Sequence, residues 1–184
     1  MKVAIASYGA GNVRSVELAL RKLGAEPRLV HEPEPLLAAD LAVLPGVGSA
    51  ASAMAGLRER GLDEALRERA GAERPILGIC LGLQLALEET EEDGGVAGLG
   101  LVPGRAVRLR AGRVPRIGWA PVDPSGEAYW FAHSYACETP AATATSEGIA
   151  AVVESDSFLG VQFHPEKSGA AGLRFLERMC LSRA

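Results

Sequence analysis

The first half of the chain alternates between short apolar runs and longer segments with helical periodicity. The apolar runs lie at residues 2–9, 27–30, 41–46 and 74–80. Apolar residues recur at helical spacing in residues 12–24, in residues 50–70 with a break at Gly61, and in residues 82–90. Strands that are apolar throughout are buried on both faces, so this alternation predicts a parallel sheet covered by helices.

The pattern changes after Gly98. Short segments rich in valine, threonine and aromatic residues follow, separated by proline and glycine, and they predict antiparallel strands before a closing helix over 169–180. With 184 residues and 48% hydrophobic composition, the chain can bury one substantial core. The predicted fold is α/β, a single domain over residues 1–184 with a mostly parallel central sheet flanked by helices and additional antiparallel strands in the second half.

Charge and hydropathy exclude several classes of partner. The formal net charge of −4 comes from 23 acidic and 19 basic side chains without long runs of one sign, so neither nucleic acid nor a membrane is expected as a partner. The apolar stretch at the amino terminus is too short for a signal peptide, and no apolar run reaches the roughly 18 residues of a membrane helix. The sequence therefore predicts a cytoplasmic protein.

The sequence predicts no metal site and no cofactor. The three cysteines, Cys80, Cys137 and Cys180, are widely spaced and odd in number, which fits neither a disulfide framework nor a set of metal ligands. A dinucleotide-binding motif after the first strand fails because Arg14 stands where the third glycine is required. The acidic run at 88–93 is interpreted as the solvated end of a helix.

Candidate chemistry begins at Cys80, which has a glycine two residues away on each side. Gly78 and Gly82 would allow a buried strand to turn abruptly into a helix with Cys80 at the apex. The N–H groups and the dipole at the start of that helix would favour the thiolate, which is a nucleophile. The alternative is a small hydrophobic residue packed in a core strand.

A candidate base follows the last predicted strand. Pro165 favours an extended conformation at His164, and residues two apart in an extended chain project to the same side, so Glu166 can reach the imidazole. A carboxylate on one ring nitrogen leaves the other free to hold the thiol proton. A surface turn is the alternative. His31, in a predicted loop, and His133, interpreted as a satisfied core histidine, are weaker candidates.

Attack on a carbonyl also requires donors for the developing oxyanion. The segment LPGVGSA (44–50) ends a predicted strand with glycines on both sides of Val47, a conformation that can expose backbone N–H groups. The N–H groups of Gly48 and of Leu81, beside the nucleophile, are therefore candidates for an oxyanion hole. An ordinary glycine-rich turn remains the alternative.

Taken together, these motifs resemble a known family. GICLGLQ, with HPE beginning 84 positions after its cysteine, resembles the class I glutamine amidotransferases. Within that class, five further motifs along nearly the whole chain are similar to the glutaminase subunits of imidazole glycerol phosphate synthase. They are YGAGNVRS near the start, PGVG at 45–48, IGW at 117–119, HSY at 133–135 and HPEKS at 164–168.

The resemblance implies a specific activity and partner. Cys80 would form a glutamyl thioester, His164 would shuttle the proton and Glu166 would orient His164. The partner would be a (βα)8-barrel cyclase subunit in a heterodimer, which receives ammonia and makes imidazole glycerol phosphate. The peptide at Val47 would turn over on activation so that its N–H serves the oxyanion. Positions matching the family's glutamine site are Gly46, Gly48, Gln84, Ser134 and Tyr135, and positions facing the partner are Asn12 and Trp119.

The sequence departs from the family pattern at two places. Leu83 replaces a common methionine beside the strand-to-helix turn at Cys80, which is called the elbow below. This change conserves volume. Ala120 stands where asparagine is usual, which removes a polar group from the expected interface. Two other hypotheses stay open at this point, a subunit of another class I amidotransferase such as anthranilate synthase and a non-catalytic binding protein of the same fold.

Overall fold

The computed structural model describes residues 1–9, 13–46, 48–110 and 112–182. The helices are α1 (Arg14–Lys22), α2 (Pro33–Ala38), α3 (Ala50–Glu59), α4 (Leu62–Gly71), α5 (Leu81–Ala86) and α6 (Gly169–Ser182). The strands are β1 (Lys2–Ala6), β2 (Glu26–Val30), β3 (Leu41–Leu44), β4 (Ile76–Ile79), β5 (Glu89–Thr90), β6 (Val96–Ala97), β7 (Arg105–Arg108), β8 (Arg116–Val122), β9 (Glu127–His133), β10 (Tyr135–Glu138), β11 (Ala142–Ser146), β12 (Ile149–Ser155) and β13 (Phe158–Val161).

A seven-stranded sheet forms the centre of the molecule, in the order β11-β12-β13-β4-β3-β1-β2. Strands β2, β1, β3, β4 and β13 are parallel, and β12 and β11 extend the sheet in antiparallel pairing. The mostly parallel central sheet is therefore confirmed. The additional antiparallel strands in the second half are also present, but two of these later strands have a parallel neighbour as well: β13 pairs parallel with β4, and β7 pairs parallel with β5.

Both faces of this sheet are buried along its central strands β1, β3, β4 and β13, as the continuously apolar strands predicted, whereas the edge strands β2 and β11 are partly exposed. Successive residues of a strand point to opposite faces. In β1, Ala4 and Ala6 belong to one apolar cluster and Val3 and Ile5 to another. None of the described helices is long and apolar enough to cross a membrane.

The ribbon formed by β8 and β9 separates apolar residues between its two faces. Ile117 and Trp119 are 62% and 57% exposed, whereas Ala120 and Val122 pack into the core. The expectation that Ala120 lies at a partner surface is therefore wrong, because its side chain points the opposite way from Trp119. A methyl group at position 120 suits this apolar environment.

Two local predictions fail for tertiary reasons. No helix was predicted after the loop at His31, but Pro33–Ala38 form α2, whose carbonyl oxygens at Leu36 and Leu37 accept hydrogen bonds from the fully buried Arg69. The acidic run at 88–93 is not a helix end, because α5 stops at Ala86 and the chain continues into β5 and a 3-10 turn, Glu92–Gly94.

Candidate active site

The strand-to-helix turn predicted at Cys80 is present. Cys80 has φ +52° and ψ −108°, a left-handed conformation that is rare for a residue with a side chain. Its N–H donates to the carbonyl oxygen of Val161 at 2.7 Å, and its own carbonyl accepts from Leu83 and Gln84. The backbone thus holds the thiol at the carboxyl edge of the sheet, at the start of α5.

Glycines are required around this turn because the backbone is closely packed there. A Cβ on Gly82 would overlap the carbonyl oxygen of Leu44, and a Cβ on Gly78 would overlap the ring of Phe158. A Cβ on Gly46 would overlap the elbow backbone itself. The segment after β3 therefore lies directly against the turn that carries Cys80.

His164 and Glu166 form the pair that the sequence predicted, although by a different backbone path. His164 is extended, but Glu166 lies in a 3-10 turn, Pro165–Lys167, rather than in a continued extended chain. His164 Nδ1 and Glu166 Oε1 are 2.9 Å apart, and both side chains are 95% buried. The carboxylate therefore accepts from Nδ1 and leaves Nε2 for another partner.

Cys80 lies close enough to His164 to influence the charge of its ring. Burial by itself would lower the pKa of His164, but hydrogen bonds to Cys80 and Glu166 and the negative charge on both partners raise it to about 9. An imidazolium beside a thiolate is the charge state in which a cysteine is a ready nucleophile and a histidine a ready proton donor.

This electrostatic arrangement predicts a pKa change in a variant. Cys80→Ala is expected to lower the pKa of His164, because burial still disfavours the imidazolium and only Glu166 remains to oppose it. A titration of the His164 ring protons by NMR measures the change. Cys137→Ala is the control, since that thiol contacts Gln162 and not His164. An unchanged midpoint in Cys80→Ala would contradict the thiolate–imidazolium pair.

A cavity of about 400 Å³ opens beside this pair. Its lining includes Cys80 and His164 and six residues named from the sequence, Gly46, Gly48, Leu81, Gln84, Ser134 and Tyr135. Glu166 lies behind His164, and Trp119 is on the exposed face of β8, outside the lining. Val47 and Asn12 lie outside the described residues, so their predicted roles remain predictions.

The sequence interpretation missed His133. Its Nδ1 lies 2.8 Å from the carbonyl oxygen of Tyr135 and must carry the proton, because a carbonyl only accepts. Nε2 is buried with no hydrogen-bond partner among the described residues, and the ring lines the cavity. Burial lowers the pKa of His133 to about 4, so the ring is neutral near pH 7. The view of His133 as a satisfied core histidine is therefore wrong; its place in the HSY motif was the available signal.

Glu92 also lines the cavity, although its acidic run was interpreted as solvated. Its carboxylate accepts the N–H of Ala50 at 3.0 Å, at the first turn of α3, and burial raises its pKa. No periodicity in the sequence signals this contact, because it joins residues 42 positions apart.

Comparisons with known proteins agree with this geometry. The family model of class I glutamine amidotransferases matches residues 4–182. "Imidazole glycerol phosphate synthase subunit HisH" of Carboxydothermus hydrogenoformans is 42% identical, covering 95% of this chain and 96% of its own length. The protein of the same name from Symbiobacterium thermophilum is 45% identical over 95% of this chain and 91% of its own.

Solved structures match the fold at lower identity. A crystal structure of a glutamine amidotransferase has a TM-score of 0.81 at 21% identity and covers 96% of both chains. The structure of PurLQS from Thermotoga maritima has a TM-score of 0.76 at 19% identity, covering 98% of this chain and 97% of its own. From the extent of the family match and the identity to the curated relatives, it follows that the chain belongs to the class I glutamine amidotransferase family.

Proposed function

We propose that this chain is the glutaminase subunit of an imidazole glycerol phosphate synthase, acting in the cytoplasm as one domain over residues 1–184. The observation that carries the proposal is a buried Cys80–His164–Glu166 arrangement in a chain 42–45% identical to HisH subunits over 95% of its length. The same relatives favour this function over a subunit of anthranilate synthase. A non-catalytic role is disfavoured because all three side chains are present, Glu166 is hydrogen-bonded to His164, and His164 lines one cavity with Cys80.

The reaction would proceed through a thioester. The thiolate of Cys80 attacks the side-chain carboxamide carbon of glutamine, and the imidazolium of His164 gives its proton to the departing nitrogen, which leaves as ammonia. The neutral imidazole then takes a proton from water as the water attacks the thioester. Glutamate leaves and the thiolate–imidazolium pair is restored. Glu166 keeps the ring of His164 in the required tautomer throughout.

Backbone N–H groups would stabilise the oxyanion of each tetrahedral intermediate. Leu81 is the first residue of α5, where N–H groups have no acceptor within their own helix. Gly48 lines the same cavity and has φ +99°. Val47, between Gly46 and Gly48, is the peptide whose reorientation would complete the hole on activation.

The remaining lining residues would hold glutamine. Gly46, Gln84, Ser134 and Tyr135 supply backbone and side-chain polar groups around Cys80. Glu92 supplies a negative charge suited to the α-ammonium group of an amino acid. No cofactor is needed, because the thiol and the imidazole supply the nucleophile and the proton transfers.

The partner would be a (βα)8-barrel cyclase that receives the ammonia. An exposed isoleucine and an exposed tryptophan at alternate positions of one strand favour a protein interface, since large apolar groups in solvent are typical of such sites. Ile117 also lines the active-site cavity, so this face adjoins the site of ammonia release. Trp119, and Asn12 outside the described residues, would face the partner.

The decisive experiment measures glutamate release by the purified chain alone, with the cyclase subunit, and with the cyclase and its nucleotide ligand. Stimulation of roughly 5–150-fold is expected, the usual range of coupling between two sites. The synthase component of an anthranilate synthase serves as the matched control partner and should give no stimulation. Full activity without a partner would contradict the gating, and stimulation by the control partner alone would contradict the assignment to imidazole glycerol phosphate synthase.

A further inference from the structure

Gln162 is a buried polar residue that the proposed mechanism does not use. It follows β13 as Cys80 follows β4, and these neighbouring parallel strands pair Val161 with Ile79. Gln162 is fully buried, and its Nε2 lies 3.6 Å from Cys80 Sγ. Its Oε1 lies 3.1 Å from Nε2 of Gln84.

The carbonyl oxygen of Tyr135 determines which way the side-chain amides of Gln84 and Gln162 point. The carbonyl oxygen of Tyr135 can only accept, so the Gln84 atom that lies 3.0 Å from it must be the amide nitrogen. That nitrogen also donates to Gln162, which must therefore present its oxygen to Gln84. The other end of the Gln162 amide, facing Cys80, is then an N–H donor.

Cys137 agrees with this direction. Its Sγ lies 4.0 Å from Gln162 Oε1, and burial, together with the charge of Cys80, raises the pKa of the Cys137 thiol, so it remains a donor. The Gln162 oxygen thus accepts from Gln84 and from Cys137. The contact with Gln84 fixes the orientation, because a flipped amide would place its nitrogen against the Gln84 nitrogen, and two donors cannot hydrogen-bond each other.

We propose that Gln162 is a positioning residue for the nucleophile, donating a hydrogen bond that holds the Cys80 thiolate in its attacking position and links it to Gln84 in the substrate site. The proposal rests on the proposed role of Cys80. An N–H donor stabilises a thiolate more than a thiol or a thioester. It therefore favours the resting nucleophile and the thiolate that leaves when the thioester is hydrolysed.

Two substitutions separate the donor from the acceptor. Gln162→Glu keeps an oxygen for Gln84 but replaces the N–H facing Cys80 with a second oxygen. Gln162→Met fills a similar volume and removes both hydrogen bonds. We expect alkylation of Cys80 by iodoacetamide at neutral pH to slow about tenfold or more in both variants, as for loss of a hydrogen bond to a charged group. In assays with the partner, kcat should fall in both, while KM rises only in Gln162→Met.

The controls make the test independent of the glutaminase assay. Cys80→Ala identifies the alkylation that occurs at other thiols. Cys137→Ala removes a neighbour of the same amide oxygen without touching Cys80, and the alkylation rate should stay within twofold of the parent chain. Alkylation rates within twofold of the parent in both Gln162 variants would overturn the positioning role, even if glutaminase activity were established. If alkylation is slow in both Gln162 variants but the parent chain has no glutaminase activity with its partner, only the proposed function is overturned.

Discussion

Cys80→Ala in the complex with the cyclase is expected to abolish glutamate release, a loss of roughly 10⁴-fold or more, comparable to removal of other enzymatic nucleophiles. The sulfur is the atom that accepts the glutamyl group, and the other side chains at the elbow are apolar or absent. The rate is measured as glutamate formed at saturating glutamine. Acid-quenched digests of the parent chain should show a glutamyl adduct on the peptide that contains Cys80.

Cys137→Ala is the matched control for this loss. Both thiols are buried and both contact Gln162, but Cys137 packs among apolar residues and does not line the cavity. Its replacement should leave glutamate release near the parent rate. Retention of more than about a tenth of the activity in Cys80→Ala would show that the nucleophile lies elsewhere, and so would an adduct on another peptide.

The sequence predicted the elbow because every requirement there is local. A buried strand, a cysteine with a glycine two residues away on each side and a helical pattern after it lie within about a dozen residues, so spacing alone indicates the turn. The pairing of His164 with Glu166 could also be predicted, since the two residues are only two positions apart in the sequence. Only the backbone path between them was wrong, because Pro165 begins a 3-10 turn that the extended pattern did not indicate.

The rest of the site was less predictable because it depends on contacts between distant segments. Gln162 lies beside Cys80 only because β13 pairs parallel with β4, and the strand pattern after Gly98 indicated antiparallel pairing. Glu92 lies in the cavity because a short strand and a 3-10 turn replace the predicted end of α5. Strand order and register set these positions. A periodicity of two or 3.6 residues in the sequence gives no information about either.

The same limit applies to the fold. Strands β1 to β4 were visible as apolar runs, and the helical segments at 12–24, 50–70 and 169–180 were visible as periodic patterns. Helix α2 was not, because its six residues include two prolines and its carbonyl groups are satisfied by Arg69, more than thirty positions away. A short helix held by a buried guanidinium has little signature of its own in the sequence.

Gly82→Ala should impair both the fold and the chemistry, because the added Cβ would overlap the carbonyl oxygen of Leu44. The first turn of α5 can relieve the overlap only by moving away from β3, and Leu81 and Cys80 would move with it. Overpacking is expected to reduce the free energy of unfolding by about 1–3 kcal/mol. A displacement of about 1 Å at the nucleophile is expected to lower kcat/KM by about 10²-fold.

Gly71→Ala is the control for the general effect of adding a methyl group. Gly71 ends α4, and apart from its chain neighbours and its own helix backbone no atom of the described residues lies within 4 Å of its added Cβ. Because alanine favours helix by roughly 0.5–1 kcal/mol over glycine, stability should be unchanged or higher and activity unchanged. Urea unfolding and glutamate release with the partner measure the two effects separately. If Gly82→Ala unfolded with the parent midpoint and retained the parent kcat/KM, the elbow would tolerate a side chain there, and the close packing between β3 and α5 would not be what holds Cys80 in position.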